Sequence, residues 1–239
     1  MRLTRLYIPD TAFVPAAPVA LDGDQSHYVL RVLRMQQGDT VVVFNETMGG
    51  WTGVLHVTGK KASVLPEKQV QQPTQSHDVT LLAAPLKKEA WLFLLEKATE
   101  LGVRTIQPVL TAFTQTSRIN VERDRVNVLE AARQCERTDI PSCHEPVKLD
   151  ALLRQWDRSR VLCVALERSD TSRPALDVFR EHKGKPLAIL IGPEGGFSSE
   201  ERALFAQHDW IAEMSLGDLI LRAETAAMTA LALHGASAE

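Results

Sequence analysis

The sequence predicts an α/β protein in two parts, a small β-barrel followed by a larger domain built on a mostly parallel sheet. Three observations lead there. Up to about Leu65 the chain consists of short β-rich runs broken by turn residues. From Val79 onward, apolar strands alternate with helices, the pattern of chain that feeds a parallel sheet. Between the two, Gln69-Val70-Gln71-Gln72-Pro73-Thr74-Gln75-Ser76 is polar, uncharged and interrupted by a proline, which suits an interdomain linker. The boundary is therefore placed there, with a barrel at 1–72 and the α/β domain at 76–239.

In the barrel, strands are expected at Val41 to Phe44, Trp51 to Val57 and Ala62 to Leu65, separated by Met48-Gly49-Gly50 and Gly59-Lys60-Lys61. A turn or two of helix is expected at Ser26 to Leu33, where Tyr28, Val29, Val32 and Leu33 would share a face. In the second part, Val79 to Ala84 reads as a strand. Lys88 to Leu101 reads as a helix with Trp91, Leu94, Leu95, Ala98 and Leu101 inward and Gly102 as its stop. Strands follow at Thr105 to Leu110, Val161 to Leu166, Leu187 to Ile191 and Ile211 to Leu216. Helices follow at Glu122 to Glu136, Pro174 to Glu181, Ser199 to Gln207 and Ala223 to His234. Ser198 and Glu201 have the spacing of a capping box at the head of the third of these helices.

Bulk properties narrow the function. At 239 residues, with 44% apolar and 24% charged residues, the chain can bury a core in either part. No apolar run approaches the roughly 20 residues of a membrane span, and none after Met1-Arg2-Leu3-Thr4-Arg5 suits a signal peptide, so a cytoplasmic protein is expected. Cys135, Cys143 and Cys163 are odd in number and lack CxxC spacing, and are read as reduced thiols, with no metal site indicated. The net charge of -3 argues against coating nucleic acid by charge alone. Residues 1–75 carry seven Lys/Arg against six Asp/Glu, and the remainder twenty against twenty-four, so the front is slightly the more basic part.

Two segments carry chemistry. Gly192-Pro193-Glu194-Gly195-Gly196-Phe197 lies between an apolar strand and a capped helix, where ligands of α/β sheets bind and glycines let backbone approach closely. It lacks the lysine of a phosphate loop, and as local pattern it is equally a sharp strand-to-helix turn. Ser215-Leu216-Gly217-Asp218-Leu219-Ile220-Leu221-Arg222-Ala223-Glu224-Thr225-Ala226-Ala227 repeats the arrangement of strand end, glycine and helix start. Leu216, Ile220 and Leu221 could form an adenine slot or simply a core, and Arg222 with Glu224 a surface ion pair.

Taken together, the two segments resemble the SPOUT methyltransferases, and within them the ribosomal RNA small subunit methyltransferase E family. The likeness extends to HYVLRVLRMQQGD (His27 to Asp39), KATELGV (Lys97 to Val103) and QCERTDIP (Gln134 to Pro141). It implies a PUA-like, RNA-binding barrel and a carboxyl-terminal domain whose chain is threaded as a trefoil knot. It also implies S-adenosylmethionine bent within three loops, here Leu166-Glu167, Ile191-Gly192-Pro193-Glu194-Gly195-Gly196, and Leu216-Gly217 with Ile220, Leu221 and Thr225. The chain departs from the family's pattern at Asp218-Leu219, where Pro-Arg is common, at Ala223, where Thr is common, and at Arg133, where Glu is often found.

The family's reaction is methyl transfer to N3 of a uracil in 16S ribosomal RNA of the small subunit. Such a reaction needs alignment and a proton acceptor. Arg222 is the candidate to stabilise the base, and Glu194 and Glu224 are candidates for the acceptor, although a carboxylate near a helix amino terminus also has a purely structural use. RNA contacts are expected first from Arg5, Arg31 and Arg34 of the barrel, the last two on one side of a helix. Lys88 and Arg137 follow, with Arg2, Lys87, Arg118 and Arg133 behind them. The resemblance further implies a homodimer, to which Ala226, Met228, Leu231 and Leu233 would contribute apolar contact. The competing readings are an RNA-binding protein without catalysis, another class of α/β enzyme, and a methyltransferase acting on transfer RNA, 23S ribosomal RNA or a ribose hydroxyl.

Overall fold

The computed structural model of the protein describes residues 3–74, 76–116, 118–166, 169 and 171–238. The chain divides into two compact units, Met1–Gln75 with Ala132–Ile140, and Ser76–Ala131 with Pro141–Glu239.

The first unit contains β1 (Thr4–Tyr7), β2 (Val19–Ala20), α1 (Gly23–His27), β3 (Thr40–Asn45), β4 (Gly49–Thr58) and β5 (Lys61–Gln71). They form one sheet in the order β1-β3-β4-β5-β2, parallel between β1 and β3 and antiparallel elsewhere. Its core is Leu6, Phe13, Val29, Val41, Val43, Leu55 and Val64, each at most 2% exposed, and each aliphatic side chain so buried stabilises the unit by roughly 1.5–3 kcal/mol. Asn45, fully buried, organises the turn that follows. Its Nδ2 donates to the carbonyls of Ile8 and Thr11 (2.9 and 2.8 Å), and its Oδ1 accepts from the Met48 N–H at 2.8 Å.

Three expectations change in this unit. The strand β5 runs on to Gln71, so the first residues of the predicted linker are sheet. The stretch Ala132–Ile140, which the sequence reading leaves in the second part, groups with the first. Arg5 Nη2 and Gln71 Nε2 both donate to the Glu136 carbonyl (3.4 and 2.7 Å), and Thr74 and Thr138 exchange N–H to hydroxyl bonds of 2.6 and 2.9 Å. Finally, after α1 the chain makes a π-helical turn over Tyr28–Val32, closed by the Leu33 N–H on the Tyr28 carbonyl at 2.9 Å. This wider turn breaks the three-to-four residue spacing, so Val29 is buried while Tyr28, Val32 and Leu33 are 36%, 58% and 38% exposed.

The second unit begins with β6 (Val79–Ala83), α2 (Lys88–Glu100), β7 (Thr105–Leu110), α3 (Val121–Gln134), β8 (Ser142–Cys143), β9 (Val147–Lys148) and α4 (Leu149–Arg154). It continues with β10 (Val161–Ala165), β11 (Arg173–Pro174), α5 (Ala175–Glu181), β12 (Leu187–Ile191), α6 (Ser199–Phe205), β13 (Ile211–Ser215) and α7 (Ala223–Ala238). All strand pairs are parallel, in the order β11-β13-β10-β12-β6-β7-β8, with β9 also on β7. Every residue of β12 is buried, as expected of a strand in a parallel sheet covered on both faces.

The α2 helix buries Trp91, Leu94, Leu95 and Ala98 as predicted, and Gly102 at φ +83 ends it. Leu101, expected inward, is instead 38% exposed, because it is the C-cap residue, with φ -85 and ψ 12, where the helical spacing has already ended. Trp91 Nε1 donates to Asp124 Oδ2 at 2.9 Å and joins α2 to α3. The α7 helix packs on α2, α5 and β12, and Leu231 at 1% exposure is consumed inside the unit, which removes it from the set proposed for contact with a second chain. Cys135, Cys143 and Cys163 are free thiols, and burial pushes the Cys163 thiol up to about 12. Among the described residues no helix is long and apolar enough to cross a membrane, and no group of three or more His, Cys, Asp or Glu is placed to hold a metal ion.

Candidate functional site

Three neighbouring strands build the site. Because β13, β10 and β12 lie side by side and parallel, their carboxyl ends share one edge of the sheet, and the loops that leave them at 166, 192 and 216 must meet there. They enclose a cleft at that edge, the place where open α/β sheets take their ligands. Ala165 and Leu166 come from the first loop, Ile191 to Glu194 with Gly196 and Phe197 from the second, and Leu216, Gly217 and Leu219 to Leu221 from the third. Arg202 of α6 and Ala223 and Ala226 of α7 complete the lining.

Each loop is held by its own hydrogen bonds. The Leu166 N–H donates to the Met214 carbonyl at 2.9 Å, and the Ser169 and Thr171 hydroxyls both donate to the Glu213 carboxylate, which ties the β10 loop to β13. In the second loop the Gly196 N–H closes a turn on the Pro193 carbonyl at 2.8 Å, lifting Glu194 to an exposed tip. Gly196 has φ +70, a conformation any other residue would hold under strain. Gly192 lies so near Phe197 that a Cβ there would come within 2.9 Å of the ring. In the third loop the Gly217 N–H donates to Ser215 Oγ at 3.3 Å.

The head of α6 fixes the loop after β12. Ser198 Oγ accepts from the Glu201 N–H at 3.2 Å and Glu201 Oε2 accepts from the Ser198 N–H at 2.9 Å, the reciprocal cap that the spacing predicts. Phe197 packs edge-on against Phe205, ring centroids 5.1 Å apart, and so anchors the loop to the core. Phe113, 48% exposed, lies against Gly195, where a Cβ would come within 3.1 Å of it.

The structure therefore gathers most of the residues the sequence singled out. Leu166, Ile191, Gly192, Pro193, Glu194, Gly196, Leu216, Gly217, Ile220 and Leu221 all line the cleft. Gly195 and Thr225 adjoin it without lining it, and Glu167 lies outside the described residues. Of the charged candidates, Glu194 lines the cleft, whereas the exposed Arg222 and the half-buried Glu224 sit just beyond its wall where α7 starts. Leu219, within the expected third loop, lines the cleft too, whereas sequence reasoning missed Ala165, Phe197, Arg202, Ala223 and Ala226. The two alanines recur three apart in α7 and could have been found from that spacing, but nothing local marks Arg202.

The expected RNA contacts divide. Arg31, Arg34 and Lys88 are exposed. Arg31 and Arg34 do not share a helix face, since the helical turn ends at Leu33 and Arg34 takes φ +55. Two others are engaged within their own unit. Arg5 stacks over Phe44 at 4.7 Å and donates to Gln71 Oε1 at 2.9 Å, and Arg137, 6% exposed, pairs with Asp139 at 2.6 Å. Their guanidinium groups are thus engaged with the fold, which a charge pattern alone does not reveal.

Known proteins share this architecture. A family profile described as an RNA methyltransferase domain matches residues 73–235, and one described as an RNA methyltransferase PUA domain matches residues 21–65. A ribosomal RNA small subunit methyltransferase E of Rickettsia conorii is 31% identical over 97% of this chain and 95% of its own length. The Synechocystis protein of the same name is 33% identical over 90% of this chain and 72% of its own length. A Legionella pneumophila structure, described as a methyltransferase in complex with the cofactor SAM, is 30% identical and superimposes with a TM-score of 0.83 over 99% of this chain and 98% of its own.

Proposed function

The chain belongs to the ribosomal RNA small subunit methyltransferase E family, and from that premise we propose that it uses S-adenosylmethionine to methylate N3 of a uracil in 16S ribosomal RNA. The observation that carries this reading is the meeting of the Gly192–Phe197 and Leu216–Leu221 loops with Leu166 around one cleft at the carboxyl edge of the sheet.

The residues present fit the cofactor. Leu166, Ile191, Leu221, Ala223 and Ala226 offer an apolar wall of the kind an adenosine needs. Gly192, Gly196 and Gly217 keep the edge of the wall free of side chains, and Thr225 adds a hydroxyl nearby. A side chain at Gly192 would have to displace the Phe197 ring, so the loop keeps its shape only with glycine.

When bound, S-adenosylmethionine supplies a methyl group already activated on sulfonium, which leaves the protein to align the base, exclude water and remove the N3 proton. Glu194, raised on its turn at the cleft wall, is the proposed acceptor of that proton. Glu224, on the first turn of α7 and off the wall, is the alternative. Arg222, exposed between the loop and α7, is proposed to stabilise the negative charge left on the uracil.

The ribosomal RNA backbone is proposed to meet the exposed Arg31 and Arg34 of the PUA-like unit and Lys88 of α2. By the family resemblance, two copies of the chain pair, in the cytoplasm where small subunits are built, and the catalytic domain at 76–239 carries the trefoil knot. Leu219 and Ile220, 81% and 62% exposed at the mouth of the cleft, are apolar surface that such pairing or the bound RNA would cover.

The test is to incubate 30S particles lacking the modification with the protein and methyl-labelled S-adenosylmethionine and to map the labelled nucleotide. Label at N3 of one 16S uridine is expected. Label confined to transfer RNA, to 23S RNA or to a ribose hydroxyl would reject the proposed substrate.

A further inference from the structure

Among the described residues that line the cleft, Arg202 carries the only positive charge. Its place follows from the helix that bears it. The Ser198–Glu201 cap fixes the start of α6 directly behind the Gly192–Phe197 loop, and the Arg202 N–H makes one of the first helical bonds, to the Ser198 carbonyl at 2.9 Å. Helical side chains lean toward the amino terminus, so Arg202 is directed back over the loop. Its Nε donates to the Phe197 carbonyl at 3.3 Å, and its Nη2 lies 3.9 Å from where a Cβ on Gly196 would stand. Neither Nη nitrogen has an acceptor among the described residues.

A guanidinium anchored through Nε keeps its Nη nitrogens for a planar acceptor with two oxygens. We propose, resting on the cofactor reading above, that Arg202 takes the carboxylate at the amino-acid end of S-adenosylmethionine. The carboxylate is the one anionic group the cofactor carries, and Arg202 is the one cationic side chain on the described wall. The remaining wall is mostly apolar side chain and glycine, which suits the adenosine end and offers the carboxylate no competing charge of its own sign except Glu194, itself held out on the turn tip. The Phe197 carbonyl, by holding Nε, orients the fork before the ligand arrives.

Calorimetric titration of the full-length protein with S-adenosylmethionine and with 5′-methylthioadenosine, which lacks the amino-acid end, tests this directly. Arg202→Met is expected to weaken S-adenosylmethionine roughly ten- to a hundred-fold while leaving methylthioadenosine unchanged. Arg202→Lys, which keeps the charge without the fork, is expected to fall between. Equal loss for both ligands with both variants, or no loss for either, overturns the proposal. So does unchanged S-adenosylmethionine affinity accompanied by weaker binding of 16S RNA, which would give Arg202 to the RNA. If the unsubstituted protein bound methylthioadenosine and S-adenosylmethionine not at all, the cofactor reading itself would fall and the proposal with it.

Discussion

Glu201 Oε1 accepts a hydrogen bond at 2.8 Å from the backbone N–H of Ala112, 89 residues earlier in the chain, while its other oxygen caps α6 through the Ser198 N–H. One carboxylate thus pins the loop after β7 to the helix whose next residue, Arg202, lines the cleft. Glu201→Ala leaves both N–H groups without their acceptor, and a loss of about 1–3 kcal/mol is expected in urea unfolding. Affinity for S-adenosylmethionine should fall with it, because the start of α6 is no longer fixed.

Gly192→Ala is expected to damage the cleft by sterics alone. The added methyl would stand 2.9 Å from the Phe197 ring, which is 6% exposed and held by Phe205, so neither side gives way easily. Overpacking of this kind costs typically 1–3 kcal/mol. Thermal unfolding with and without S-adenosylmethionine should show a lowered midpoint and a reduced stabilisation by the cofactor. Gly23→Ala, with nothing within 4 Å of the new methyl, should leave both unchanged.

Glu194 and Glu224 compete for one role, and their positions separate them. Only Glu194 lines the cleft, so Glu194→Gln is expected to slow single-turnover methylation roughly a hundredfold or more, with Glu224→Gln affecting it far less. Arg222→Ala, exposed and outside the core, should leave unfolding unchanged while lowering the same rate. A Glu224→Gln variant slower than Glu194→Gln would reverse the assignment of the acceptor.

His234 on α7 meets the edges of His77 and Phe179, ring centroids 5.7 and 5.5 Å away. Burial, and secondarily the charge of His77, hold its pKa below the usual 6.5. The unfolded chain therefore binds a proton on this imidazole that the folded chain refuses. The neutral side chain is no burden above about pH 6.5, and stability is lost as pH falls from there toward the lower folded value. His182, lowered chiefly by burial, acts in the same window. Unfolding measured between about pH 7.5 and 5.5, roughly one unit either side of a histidine's ordinary value, should show a shallower decline in His234→Gln than in the unsubstituted protein.

Much of this protein can be read along its chain. Alternating apolar strands and helices after Val79 predict the parallel sheet, because a strand buried on both faces must be apolar throughout, as Leu187–Ile191 is. The Ser198–Glu201 spacing predicts the cap that forms, and glycine-bearing loops after strands predict where a ligand would lie. These are local signals, set by the backbone's own period and by which residues tolerate a turn. What depends on distant partners had no such signal. Arg5 and Arg137 look like free cations until Gln71, Glu136 and Asp139 are brought to them, and Leu231 looks available until α2 and α5 cover α7. Arg202 gains its meaning only when the order β13-β10-β12 sets three loops on one edge, since a cleft is a property of the space between segments and no single segment encodes it.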